Sequence, residues 1–337
     1  MVSSNDSLIA SINNATIQLN RYLPLIIFIF GIIGNILNIL VLSRRALRTN
    51  PCALLFLVSS LTGLIVIISG LTTRLATGWS VDLSETIEWL CKLHIFILFV
   101  SRTIFFWLLV FASIDRWFSS SINVHRRHIS TLKNAQRSII IITIFSILLN
   151  GPLLYCYKAN LIGTPAKCYG YSDSCRSYTE ISFTLGNIVI PSLLMLLFGL
   201  LTINNIRQVQ KRINIRASIS VPDPYNKNTP TNMNMKQQQQ MKTDQNLFKM
   251  LFVQVIFLIL CTAPYAIYRL YATITPAAPL KTVLQNAIES FLFNLFTNLT
   301  YLATAMPFYI YTLFGGKVFR NELFSIINDI FQKIKCI

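Results

Sequence analysis

The sequence predicts an all-α membrane protein, a bundle of seven transmembrane helices followed by a short amphipathic helix on the inner membrane face. Three observations lead there. Of the 337 residues, 53% are hydrophobic and only 12% are charged, whereas a water-soluble domain carries about 25% charged residues. The apolar residues gather into seven runs near the length of about 20 that a helix needs to cross the hydrocarbon. The basic residues gather beside alternate ends of those runs.

The runs are 22–42, 51–75, 91–114, 138–157, 183–203, 247–268 and 283–314. The seventh is diluted by Gln285, Asn286, Glu289 and Asn294. Polar positions of that kind fit a face turned into the bundle or towards water. The net charge of +17 admits a nucleic-acid footprint or an excess of basic residues in cytoplasmic loops. The apolar runs decide for the second, with lipid bilayer and not nucleic acid as the partner.

Sidedness follows from the positions of those charges. Arg44, Arg45 and Arg48 follow the first run; Arg116, Arg126, Arg127, Lys133 and Arg137 follow the third. Arg207, Lys211, Arg212 and Arg216 follow the fifth, and Lys317 and Arg320 the seventh. All fall on one side, which is expected to be cytoplasmic. The N-terminus is then extracellular and the C-terminus cytoplasmic, in a multi-pass plasma-membrane protein.

The expected organisation is an extracellular tail over 1–21, the seven-helix domain over 22–314, and an amphipathic helix with a cytoplasmic tail over 315–337. The connection 206–246 holds Pro222, Pro224, Pro230 and the run Gln237–Gln240, a composition that predicts a disordered cytoplasmic loop. Asn5-Asp6-Ser7 and Asn14-Ala15-Thr16 are glycosylation acceptors in the outer tail. Residues 1–20 are polar and carry no cleavable-signal pattern, so export is expected to rest on the first span.

Other function classes find little support. The seven cysteines form no CxxC pair, so neither a metal site nor a cofactor is expected. No HExxH or GxSxG motif occurs, and of the three histidines His94, His125 and His128, two lie in a basic inner loop. A transporter or channel is the alternative class. It would call for discontinuous helices, a polar pore or an internal repeat, none of which is evident.

Several marks sit inside the runs in a definite order. Gly34-Asn35, with Asn38 a turn later, lies in the first. Cys91 opens the third and Asp115-Arg116-Trp117 closes it, 25 positions from Cys91 to Arg116. At 1.5 Å per residue that is roughly 37 Å, interface to interface. The fifth has Pro191 and the sixth has Cys261-Thr262-Ala263-Pro264. The seventh ends in Met306-Pro307-Phe308-Tyr309-Ile310-Tyr311.

Together these marks resemble the rhodopsin-like (class A) G-protein-coupled receptors over nearly the whole chain. The resemblance implies a non-enzymatic receptor that binds an extracellular ligand and activates a heterotrimeric G protein. It implies a disulfide from Cys91 to the second outer loop, at Cys168 or Cys175. Cys168 is favoured because Cys175 lies closer to the fifth helix; Cys175 is then free or paired with Cys156. Arg116 is expected to pair with Asp115 at rest, with Asp244 as a second acid or a solvated loop residue. Pro264 is expected to kink the sixth helix. Pro307 and either Ile310 or Tyr311 stand for the proline and tyrosine of the seventh-helix motif.

The departures mark a divergent member. Trp117 replaces the usual Tyr, Thr262 the usual Trp, and Gly199 a Tyr of the fifth helix. Gly63 stands where relatives carry the acid that supports a sodium site, so no such site is expected.

Leu98 occupies the position at which amine receptors carry a carboxylate, so an amine ligand is not expected. The seventh run lacks an internal Lys for a retinal Schiff base. Arg102, near the middle of the third run, must face the bundle or a cavity, because a bare Arg in lipid is costly. It is either a structural residue bonded to carbonyls or to neighbours such as Asn294, or a ligand or anion contact at the pocket floor. Arg74 and Arg269 would extend a basic pocket, with Thr262, Tyr265 and Glu289 completing the candidate ligand set. The outer acids Asp82, Glu85, Glu88, Asp173, Glu180 and Glu289 suit a basic peptide. The ending Tyr-Ile-Tyr-Thr-Leu-Phe resembles invertebrate neuropeptide receptors, including the FMRFamide-like group.

Overall fold

The computed structural model describes residues 4–79, 82–161, 167–219, 230–274, 282–314 and 316–335. The first helix is Ser4–Leu42. The second, Pro51–Gly78, starts on an Asn50 cap with Pro51 in its first turn, where a missing N–H costs nothing. The third, Glu88–Ser119, is 32 residues long, about 48 Å at 1.5 Å per residue. The fourth is Leu132–Asn150, followed by a single turn at Leu153–Cys156. The fifth comprises Asp173–Phe183, a π-helical turn at Thr184–Val189, and Ile190–Ile219. The sixth is Pro230–Ile274, and the seventh is Val283–Ala305 continued by Pro307–Phe314. An eighth, Gly316–Lys335, follows.

Six of these helices are long and apolar enough to cross a membrane: the first six in order. The seventh breaks at Met306, where Pro307 starts a new helix; polar residues dilute the longer piece, and the second is only 8 residues long. It nevertheless packs against the first, second and sixth helices. The fourth helix shows the outer character of the bundle: Ile140, Ile141, Ile144 and Leu148 are 54–71% exposed, an apolar face that lipid solvates.

Two stretches expected to lie outside the spans contain helix. The stretch 4–21 is helical and continuous with the first span; it contains no Gly or Pro to stop a helix before Pro24. The connection 206–246 is helical up to Ile219 and again from Pro230. Lys, Arg, Gln and Met there are good helix formers that prolong helices already nucleated in the bundle.

The bundle has two apolar cores. One, around Phe56, Phe105, Leu109, Met195, Leu258 and Tyr311, fills the half that contains Asp115. The other, around Ile67, Leu71, Phe99, Phe183, Tyr265 and Tyr301, fills the half that contains the disulfides. Buried amides stitch the first helix in: Asn38 Nδ2 donates to Ser60 Oγ at 2.9 Å, and Asn35 Nδ2 to the carbonyls of Gly31 and Thr304 at 2.8 and 3.4 Å. Asparagine is tolerated in such an apolar place because each amide nitrogen meets a partner across or along the helix.

The π turn of the fifth helix has a cause in the sequence. Within it bonds run from residue i+5 back to residue i, as from Ile190 N to Leu185 O. The next such donor would be Pro191, which has no N–H. The carbonyl left over is that of Gly186, and it accepts from the indole Nε1 of Trp107 in the third helix at 3.0 Å.

Two disulfides shape one end of the bundle. Cys91 at the start of the third helix bonds to Cys168 (Cα–Cα 5.7 Å), and Cys156 bonds to Cys175 (Cα–Cα 5.3 Å). Between them a two-stranded antiparallel ribbon pairs Tyr157 with Gly170 and Lys158 with Tyr169.

Candidate functional site

At the end of the bundle opposite the disulfides, the third helix delivers Asp115, Arg116 and Trp117. The Arg116 side chain is 4% exposed. Its Nη2 donates to Asn50 Oδ1 at 2.7 Å and approaches Asp115 Oδ2 at 3.4 Å. The other Asp115 oxygen accepts from Ser130 Oγ at 2.6 Å. Asn50 Oδ1 also accepts from the backbone N of Cys52 at 3.0 Å, capping the second helix. A single amide oxygen thus ends one helix and holds the arginine of another.

The neighbours of this site sit on other helices. The Trp117 ring lies 5.4 Å from Phe198 of the fifth helix and beneath the guanidinium of Arg126 at 5.6 Å. Asn205 Nδ2 donates to the Trp117 carbonyl at 3.2 Å. Tyr311, fully buried, donates to Gln254 Oε1 of the sixth helix at 2.5 Å, and its ring lies 5.0 Å from Phe56. Ile310 is buried in the apolar core without such a bond, so Tyr311 supplies the hydroxyl that links the seventh helix to the sixth. The side chain of Asp244 lies outside the described residues.

Pro264 lies within the sixth helix; it cannot donate to the Leu260 carbonyl, which frees that turn. Thr262, fully buried, turns its hydroxyl back to the Leu258 carbonyl at 2.8 Å. At Gly63 an added Cβ would meet Asn35 Oδ1 at 3.0 Å and the Phe105 ring at 3.4 Å. Phe105 takes the volume that an acid at Gly63 would otherwise need.

In the half that carries the disulfides, Arg102 is 4% exposed. Its Nη2 donates to Thr300 Oγ1 at 3.1 Å, and its guanidinium lies 4.6 Å from the Tyr301 ring and 5.5 Å from the Phe183 ring. Asn294, expected beside Arg102, instead accepts from Arg74 Nη1 at 3.0 Å; Asn294 and Thr300 are six positions apart, on different turns of the seventh helix. Leu98 is buried in the same apolar core as Phe183 and Tyr301.

Arg269 does not extend a basic pocket. It forms a buried ion pair with Glu180, with the two side chains 6% and 9% exposed. Tyr169 donates to the other Glu180 oxygen at 3.1 Å. Burial pushes the Tyr169 hydroxyl above its ordinary range, so it keeps its proton and remains a donor. Tyr265 lies with its ring edge-on to Phe183 at 5.4 Å and beneath Arg269 at 5.4 Å. The buried pair joins the fifth helix to the sixth, which explains why a cation and an acid both tolerate this depth.

The other outer acids are also engaged. Glu85 pairs with Lys167, Glu88 with Lys92, and Asp173 with Arg176. Asp82 accepts from Thr77 and Ser84, and Glu289 from Tyr271 and Gln285. Beside Glu289, a groove of about 680 Å³ runs between the sixth and seventh helices, walled by Pro264, Tyr268, Ile288 and Phe296. Among the described residues, no three His, Cys, Asp or Glu side chains converge as a metal site would require.

Asn14 is exposed on the first helix; the side chain of Asn5 lies outside the described residues. Asn50, Ser130 and Gln254 were not singled out from the sequence. Asn50-Pro51 carried a signal, an Asx cap before a first-turn proline; Ser130 and Gln254 carried none.

With the bundle and its two ends described, the class is plain: a helical membrane receptor. Residues 34–311 match the family of 7 transmembrane receptors (rhodopsin family), and the chain belongs to that family. A search of the curated proteins found no match. Membership makes the chain a multi-pass plasma-membrane receptor that takes an extracellular ligand and signals through a G protein, and not an enzyme.

Proposed function

We propose that this receptor is gated by an extracellular peptide, in the manner of the FMRFamide-like neuropeptide receptors, with its disulfide-bearing end outside and its Asp115-Arg116 end facing the G protein. The observation that carries the peptide reading is the groove between the sixth and seventh helices. Its volume of about 680 Å³ falls within the usual range for ligand sites. It combines aromatic and aliphatic walls with hydrogen-bonding groups at Tyr271, Gln285 and Glu289. That pattern suits a side chain with an apolar stem and a basic head. Leu98 gives no carboxylate to a small amine.

The orientation rests on the basic residues flanking the Arg116 end and on the disulfides, which need an oxidising compartment. Asn5 and Asn14 are then available for glycosylation. In this reading Arg116 is the switch, restrained by Asp115 and Asn50, with Asp244 within the same inner region. Pro264, Pro307 and Tyr311 are the points through which the sixth and seventh helices move.

The test is a peptide library, amidated and free-acid, applied to cells expressing the chain, with G-protein activation as the readout. A basic peptide should activate, and Glu289→Gln should lower its potency about ten-fold while surface expression holds. Activation by a small amine or a lipid, with no active peptide, would overturn the peptide reading. Loss of a glycosidase-sensitive mass shift in Asn14→Gln tests the placement of the first helix.

A further inference from the structure

We infer that Arg102 is the cationic half of a buried site for a small monovalent anion, a carboxylate or a halide. The inference begins from how the other well-buried cations of the bundle are satisfied. Arg116 has Asp115 and Asn50. Arg269 has Glu180. Arg74, less deeply set, has the amide oxygen of Asn294.

Arg102 differs from all three. It is 4% exposed, and among the described residues no carboxylate or amide oxygen meets it. Its one hydrogen bond is from Nη2 to Thr300 Oγ1, a hydroxyl whose own proton goes to the Thr297 carbonyl at 2.8 Å. Its Nε is buried and makes no hydrogen bond. A guanidinium carries five N–H donors and stays charged at any physiological pH.

The ring faces of Tyr301 and Phe183 attract the cation. They leave the in-plane Nε donor without an acceptor, because a π face competes for charge and not for a hydrogen bond along the N–H direction. Removing a cation from water without a counter-charge is costly, and an uncompensated buried charge is among the more destabilising features a fold can hold. A single anion in the plane of the guanidinium satisfies both requirements at once: it neutralises the charge and accepts from Nε and a terminal nitrogen together. Water satisfies neither the charge nor, amid Leu98, Phe99 and Tyr301, its own need for several polar partners.

The anion has two possible sources: the carboxylate of an agonist, or a free ion from solution. The experiment separates them without a known agonist. The full-length receptor is purified in detergent with sodium isethionate as the only salt. Its thermal midpoint is then followed as isethionate is replaced at constant ionic strength by chloride, or by formate as a minimal carboxylate. A ligand that binds only the folded state raises the midpoint saturably; a rise of about 3–5 °C at saturation is expected for a bundle of this size.

Saturable stabilisation by chloride assigns the site to a free halide. Stabilisation by formate and not by chloride assigns it to a carboxylate. Arg102→Lys, which keeps the charge and loses the planar fork, should raise the half-saturating anion concentration at least ten-fold. Arg102→Gln should abolish the shift. If wild-type protein shows no anion-dependent shift, or if the shift survives unchanged in Arg102→Lys, the proposal fails. The wild-type titration and the Lys variant decide it even if the Gln variant does not fold.

Discussion

Asn50 and Arg116 meet at 2.7 Å, closer than Arg116 and its neighbour Asp115 at 3.4 Å. The amide oxygen also caps the second helix. Removing it therefore releases the arginine and loosens a helix end together. Hydrogen bonds to charged groups contribute about 1.5–3 kcal/mol, which is at least a ten-fold change in an equilibrium. Asn50→Ala should raise ligand-free G-protein activation about ten-fold. Asn50→Asp keeps the cap and adds a counter-charge, and should fall below wild type. Basal nucleotide exchange on a reconstituted G protein reads both; equal basal rates in the three proteins would remove Asn50 from the switch.

Asp115 holds Arg116 from one side and Ser130 from the other. Asp115→Asn should increase basal signalling, because a receptor already in equilibrium between two states shifts when one is weakened. Arg116→Ala should abolish signalling with surface expression retained. Normal signalling by Arg116→Ala at normal surface density would contradict the assigned role.

Glu180 and Arg269 are buried together. Removing one partner strands the other, at a cost of about 3–5 kcal/mol. Glu180→Gln and Arg269→Met should each lower the thermal midpoint strongly. The double variant Glu180→Leu/Arg269→Met should recover much of the loss, since an apolar pair can replace a buried ion pair. A double variant as unstable as the sum of the singles would mean that the two side chains do not act on one another.

The two cystine bridges should be separable. Non-reducing peptide mapping should recover Cys91 with Cys168 and Cys156 with Cys175. Cys91→Ser and Cys168→Ser should lower surface expression to a similar extent, and their combination no further, because both singles break one bond. A free Cys91 thiol in surface-expressed protein would contradict the pairing.

The fold was largely legible from hydropathy and charge, because a lipid-solvated helix must be apolar along its length and its flanking charges are sorted by side. The spans of the second and third helices differ from the sequence reading only at their ends, where helices continue beyond hydrocarbon. Less legible was anything that depends on a contact between distant residues. Asn294 is within reach of Arg102 by membrane depth, yet the turn it occupies directs it to Arg74. Arg269 reads as a pocket cation until the fold brings Glu180 to it. The acids of the outer loops read as a charged rim until each is seen against its local partner. Periodicity gives depth and face; it does not give the neighbour.

The proton that Pro191 lacks has a mechanical consequence. Trp107 fills that vacancy with its indole at the Gly186 carbonyl and rests its ring against Phe145, 5.6 Å away in the fourth helix. The third, fourth and fifth helices are thereby indexed to one another: a slip of one residue would leave a carbonyl unanswered in an apolar setting. With two cystines closing the same three helices at one end, this trio forms a stator. In the reading proposed above, the moving part of the machine is then the sixth helix, which has a proline in mid-span and an ion pair, not a covalent bond, tying it to the block.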